Sequence, residues 1–109
     1  MDVVLVSWSI RTDAVDQFKD DFPEMPPGSK PGLIREDLYR LEDTPDDGSV
    51  HYLRVGRWES PAAFYAALAG IAAPGMRPTP KPYETSERRR EWLTWSRDDI
   101  PTENNRGDG

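Results

Sequence analysis

From position 3 to position 10 the side chains alternate, with Val3, Leu5, Ser7 and Ser9 on one side of the backbone and Val4, Val6, Trp8 and Ile10 on the other. A period of two predicts a β-strand, and apolar residues at the start of both sides predict that it is buried on both faces. Thr12 or Asp13 then offers a side-chain oxygen to cap a helix, in which Val15, Phe18 and Phe22 form an apolar stripe while Asp16, Lys19 and Asp20 face water. The run PEMPPGSKPG over 23–32 cannot continue that helix, because proline lacks the amide and clashes with the preceding turn. It reads as a loop. A second strand is expected over 33–41, and the acidic turn EDTPDDGS folds it back into a third over 51–58.

Ser60 followed by Pro61 is a strong helix start, a hydroxyl cap with proline at the first helical position. Phe64, Leu68 and Ile71 would form the buried stripe of this second helix. Another proline-rich loop, AAPGMRPTPKP, covers 72–82. A last strand is expected around 90–98, with Leu93 and Trp95 on one face and Trp92, Thr94 and Ser96 on the other. The ending PTENNRGDG has nothing to bury, so the reading is one domain over 1–100 and a disordered tail over 101–109.

The order strand, helix, strand, strand, helix, strand is the split βαβ arrangement of ferredoxin-like α+β folds. Both helices would cover one face of a four-stranded antiparallel sheet. The opposite face carries Val3, Leu5, Leu53 and Val55 and needs a cover, for which a second copy of the same sheet is the simplest choice. A two-fold homodimer closed by sheet-on-sheet packing is therefore expected.

Composition narrows the function classes. The chain has 109 residues and a formal net charge of −6, which argues against a nucleic-acid partner, since such affinity rests on clustered Lys and Arg. The one basic run, Arg88-Arg89-Arg90, lies between Glu87 and Glu91 and reads as a solvated helix end or the start of a strand. No apolar run reaches transmembrane length and no signal peptide is visible, so a cytoplasmic protein without membrane contact is expected. With no cysteine and one histidine, thiolate chemistry is excluded, and histidine-rich metal sites and the common hydrolytic triads look implausible within one chain. The carboxylates Glu42, Asp43, Asp46 and Asp47 lack the ligand spacing of a calcium loop.

The PG-led second strand, the acidic hairpin and the Trp58-Glu59-Ser60-Pro61 junction leading into an Ala-Phe helix resemble the antibiotic biosynthesis monooxygenase family of dimeric α+β barrels. The resemblance covers roughly positions 3–68 and weakens beyond Ile71, where members usually continue a helix. It implies a pocket between sheet and helices with Trp58 in its wall, and a small oxygenase acting on a polycyclic phenol, anthrone or quinol of an aromatic polyketide pathway. No tightly bound cofactor is expected, as the chain has no glycine-rich dinucleotide motif; reduced flavin supplied by a separate reductase remains compatible.

Strand parity places Tyr52, Arg54 and Gly56 on the same face as Trp58, with Gly56 leaving space between Arg54 and the indole. Arg54 would stabilise a phenolate or enolate, with Trp58, Tyr65, Trp8, Tyr52, Met76 and Trp92 around a bound aromatic. The competing reading pairs Arg54 with Glu36 and leaves the aromatics as core. Glu36 and Asp37 point to opposite faces, so one of them is the partner or the base. His51 carries the one side chain suited by type to proton transfer near neutrality, yet parity puts it opposite Arg54. Arg77 or Lys81 would add positive charge to a loop folded over the pocket. Two rival functions share this frame: a cofactor-free polyketide cyclase or isomerase, and a non-catalytic dimeric ligand-binding barrel.

Overall fold

A computed structural model describes residues 1–42, 47–68 and 79–93. Strand β1 (Asp2–Arg11) leads through a 3₁₀ turn (Thr12–Ala14) into helix α1 (Val15–Asp21). Strands β2 (Leu33–Arg40) and β3 (Ser49–Trp58) follow, then helix α2 (Pro61–Ala67) and strand β4 (Arg89–Leu93). The sheet order is β2-β3-β1-β4, and every neighbouring pair is antiparallel. This is the ferredoxin-like order expected from the sequence.

Side-chain alternation decides what each face carries. On β3 the residues Val50, Tyr52, Arg54, Gly56 and Trp58 are buried under the helices, while Ser49, His51, Leu53, Val55 and Arg57 are only half-buried. Val4, Trp8 and Ile10 of β1 share the helix-covered face. The core there is divided into two clusters. One joins Trp8, Ile10, Ala14, Phe18, Val50, Tyr52 and Tyr83 under α1, and the other joins Val4, Leu33, Trp58 and Phe64 under α2. Aromatic contacts tie each together: Phe18 stacks on Tyr52 with ring centroids 4.9 Å apart, and Trp58 meets Phe64 edge-on at 5.5 Å.

Helix α2 starts as its sequence dictates, for the Ser60 hydroxyl accepts from the Ala63 amide at 3.1 Å and Pro61 takes the first helical position. Helix α1 does not. Neither Thr12 nor Asp13 caps it, because both fall inside the 3₁₀ turn and Asp13 accepts instead from Arg11 Nε at 2.9 Å. Gly32 locks the two halves of the chain together. Its φ of +84° favours glycine, a Cβ there would lie 2.5 Å from Ala63 Cβ on α2, and its carbonyl accepts from the Glu59 amide at 2.8 Å.

The face away from the helices is lined by Val3, Leu5, Leu53 and Val55, with Tyr39 and Leu93 about half exposed. No described element covers it. Strand β4 begins one residue earlier than expected, and Trp95, Thr94 and Ser96 lie outside the described residues, as do Ile71, most of the second proline-rich loop and the tail over 101–109. Among the described residues no helix is long and apolar enough to cross a membrane.

Candidate functional site

Arg54 stands at the middle of β3, paired across the ladders with Val6 of β1 and Leu38 of β2, on the line where the two clusters meet. Its side chain is 11% exposed. Nη2 donates to the carbonyl of Phe22 at the end of α1, and the guanidinium carbon lies 5.3 Å from the centre of the Trp8 ring. Nε approaches Glu36 Oε1 to 3.8 Å, too far for a hydrogen bond but close enough for charge pairing.

Glu36 reaches this position because of an irregularity in β2. Leu33 pairs with Trp58 and Arg35 with Arg57, so the chain slips by one residue around Ile34 and both Leu33 and Glu36 turn beneath the helices. Simple alternation could not say which of Glu36 and Asp37 would do so. The Glu36 carboxylate, 5% exposed, also accepts from the Met25 amide at 2.9 Å. Burial raises its pKa, against the lowering effects of the Met25 amide and Arg54; burial likewise lowers that of Arg54, against the attraction of Glu36 and Glu24.

Among the described residues, three buried N–H groups on this face have no hydrogen-bond acceptor: Trp8 Nε1, Arg54 Nε and Trp58 Nε1. A donor left so costs about 1–3 kcal/mol. All three are donors, so whatever satisfies each of them must be an acceptor.

The other expected residues distribute around this centre. Trp58 is fully buried, and its indole fills the space above Gly56, where an added Cβ would lie 3.0 Å from Trp58 Nε1. Gly56 therefore makes room for the tryptophan itself, where open space was expected. Tyr65 and Trp92 form a half-buried pair, Trp92 Nε1 donating to the Tyr65 hydroxyl at 3.0 Å, with Phe64 packed edge-on against both. Tyr52 is spent on the core beneath α1. Met76 and Arg77 lie outside the described residues, and the exposed Lys81 donates its backbone amide to the Glu84 carboxylate at 2.7 Å and accepts from the Glu84 amide at 3.0 Å.

His51 does not join them. It projects to the opposite face, where Ser9 Oγ is 2.7 Å from Nδ1, so a catalytic role beside Arg54 is not supported by its position. The residue that sequence reasoning missed is Arg88. Read with its neighbours as the start of a strand, it instead folds inward, pairs with the buried Glu84 at 2.8 Å and lies over the rings of Phe22 and Trp8 at 4.8 and 5.7 Å. Two guanidinium groups thus flank one indole. Alternation carries no signal for this, because Arg88 precedes β4 and its direction depends on Glu84 in the loop.

Fold and site together define a ferredoxin-like α+β protein with a buried arginine–carboxylate pair among aromatic rings. No family model matches the chain, and no curated protein matches it. A solved structure that it resembles is that of a Bacillus cereus protein provisionally described as an antibiotic biosynthesis monooxygenase. The two share 15% identity over 85% of this chain and 88% of that one, with a TM-score of 0.50. At that identity the likeness is one of fold.

Proposed function

We propose that this protein is a small cytoplasmic oxygenase of the antibiotic biosynthesis monooxygenase type, working as a homodimer on an electron-rich polycyclic phenol, anthrone or quinol. The observation that carries the reading is Arg54, buried between two aromatic clusters, with its Nε and the indole N–H groups of Trp8 and Trp58 on the same sheet face lacking acceptors among the described residues. The fold shared with the Bacillus cereus protein, and that protein's description, point the same way.

In this reading Glu36, whose affinity for a proton is raised by burial, takes the acidic proton of the bound substrate. Arg54 and the indole N–H groups hold the resulting enolate or phenolate oxygen. The anion passes one electron to O₂, the two radicals combine at carbon, and the hydroperoxide loses water. For an anthrone the balance is CH₂ plus O₂ giving C=O plus H₂O. The Tyr65–Trp92 pair lies beside Trp58 and Phe64 as a wall for the aromatic rings. No resident cofactor is part of the scheme.

The test is oxygen uptake with anthrones, naphthols and angucyclinone-type quinols, with and without reduced flavin, and mass analysis of the products. Uptake coupled to an oxygenated product is expected, and its dependence on flavin decides whether a reductase is a partner. Arg54→Met should lower turnover by about 10²–10³-fold, the usual effect of removing an anion-stabilising donor. Turnover without oxygen to an isomeric or dehydrated product would favour the cyclase reading, which the Glu36–Arg54 pair also suits as base and anion stabiliser. Binding without any turnover would leave the ligand-binding barrel.

A further inference from the structure

The sheet face opposite Arg54 carries a second set of reactive groups. Ser9 and His51 stand directly across from each other in the β1–β3 ladder, and Ser9 Oγ lies 2.7 Å from His51 Nδ1. On the other side of the imidazole, Nε2 is 3.4 Å from Asp47 Oδ1, near enough for charge pairing but without a hydrogen bond, and that oxygen is held by the Ser49 amide at 3.0 Å. A carboxylate beside Nε2 favours the tautomer protonated there, which leaves the Nδ1 lone pair to accept from the Ser9 hydroxyl. The sequence reading set hydrolytic triads aside because the chain has one histidine, but one is enough. The two ring nitrogens exchange the roles they play in the familiar serine hydrolases: the hydroxyl–base contact is formed, and the carboxylate stands beside the other nitrogen without yet bonding to it.

We propose that Ser9, His51 and Asp47 form an acyl-transfer site for small uncharged esters with an apolar acyl group. Ser9 Oγ attacks the ester carbonyl as His51 Nδ1 takes its proton, and the C–O bond to the leaving group breaks with that proton returned to the departing oxygen. Water, deprotonated by His51, then cleaves the Ser9 ester, so the balance is ester plus water giving acid plus alcohol. The acyl group has an apolar bed beside the nucleophile: Leu53 lies two residues from His51 on the same face, paired with Ser7 and Tyr39. Two cations flank Ser9 there, Arg11 two residues along β1 and Arg89 across from Ser7. Their carboxylate contacts, with Asp13 and Glu91, are exposed, and pairs of that kind hold their side chains only weakly.

The long His51–Asp47 contact suits a site without substrate, where catalytic hydrogen bonds are often loose. The set lies toward the hairpin end of β3, with Asp47 half exposed, and borders the apolar patch of Val3, Leu5 and Val55 through Leu53, which belongs to both.

The experiment treats the intact chain with p-nitrophenyl acetate, follows p-nitrophenolate release, and maps the acetylated residue by peptide mass. Expected are a burst of release and acetyl on Ser9, with burst and label lost in Ser9→Ala and His51→Gln and kept in Ser7→Ala. Acetylation at another residue, or none on the intact chain, overturns the proposal. Because the mapping needs no variant, the result stands even if Ser9→Ala fails to fold. The assay does not involve oxygen or Arg54, so its failure leaves the oxygenase reading where it was.

Discussion

Burial pushes the pKa of Glu36 up and that of Arg54 down, so for this pair lost hydration outweighs an attraction acting across 3.8 Å. A pair of that kind is weak support for the fold's stability. Removing only Arg54 as Arg54→Met strands a buried carboxylate and should cost about 3–5 kcal/mol, whereas Glu36→Leu with Arg54→Met should be neutral or stabilise by about 1–4 kcal/mol while abolishing turnover. Urea unfolding of the three proteins measures this; a double variant less stable than Arg54→Met alone would refute it. The pH dependence has a definite sign. Glu36 is raised above its ordinary 4.5, so its contribution is full below that value and is lost as pH climbs through the folded-state value. The parent should show that decline and the double variant should lack it. Trp58, being wholly enclosed, is a poor probe of chemistry, since its removal reports on the core first.

At the level of elements, the second helix and its attachment are the best-determined local structure. Ser60→Ala removes a cap bond and should cost about 1 kcal/mol. Gly32→Ala should cost more than Ser60→Ala, because it adds a strained φ to a contact with the Ala63 Cβ at 2.5 Å. Thermal unfolding ranks the two, and the reverse order would mean that the β2–α2 contact yields easily. The Ser60-Pro61 start was legible because a cap is a local contract between neighbours. The failure at Thr12 and Asp13 has the same root: those side chains were eligible, but the chain leaves β1 through a 3₁₀ turn and gives Asp13 to Arg11. Nor could the slip at Ile34 be read, since it exists only in the pairing of β2 with β3, and the identity of the arginine's partner depends on it.

For the whole molecule, periodicity yielded the order of elements along the chain, and the split βαβ arrangement that this order matches supplied the fold. The site was half legible: alternation put Arg54, Tyr52 and Trp58 on one face and His51 on the other, but the inward fold of Arg88 and the Phe22 carbonyl on Arg54 come from distant segments. The exposed sheet face carries the last prediction. If a second copy covers Val3, Leu5 and Val55, sedimentation should give a dimer, and Leu5→Asp should give a folded monomer. A parent chain that sediments as a monomer would end the sheet-to-sheet reading.

Among the described residues, Val6 is the one apolar side chain packed against both core clusters, and Arg54 is its partner across the ladder. The layer under the helices is thus two oily drops touching at a point, with a polar crease between them. Damage on one side of that crease should therefore stay local: a truncation under α1 is expected to loosen its own cluster well before the packing under α2 is felt.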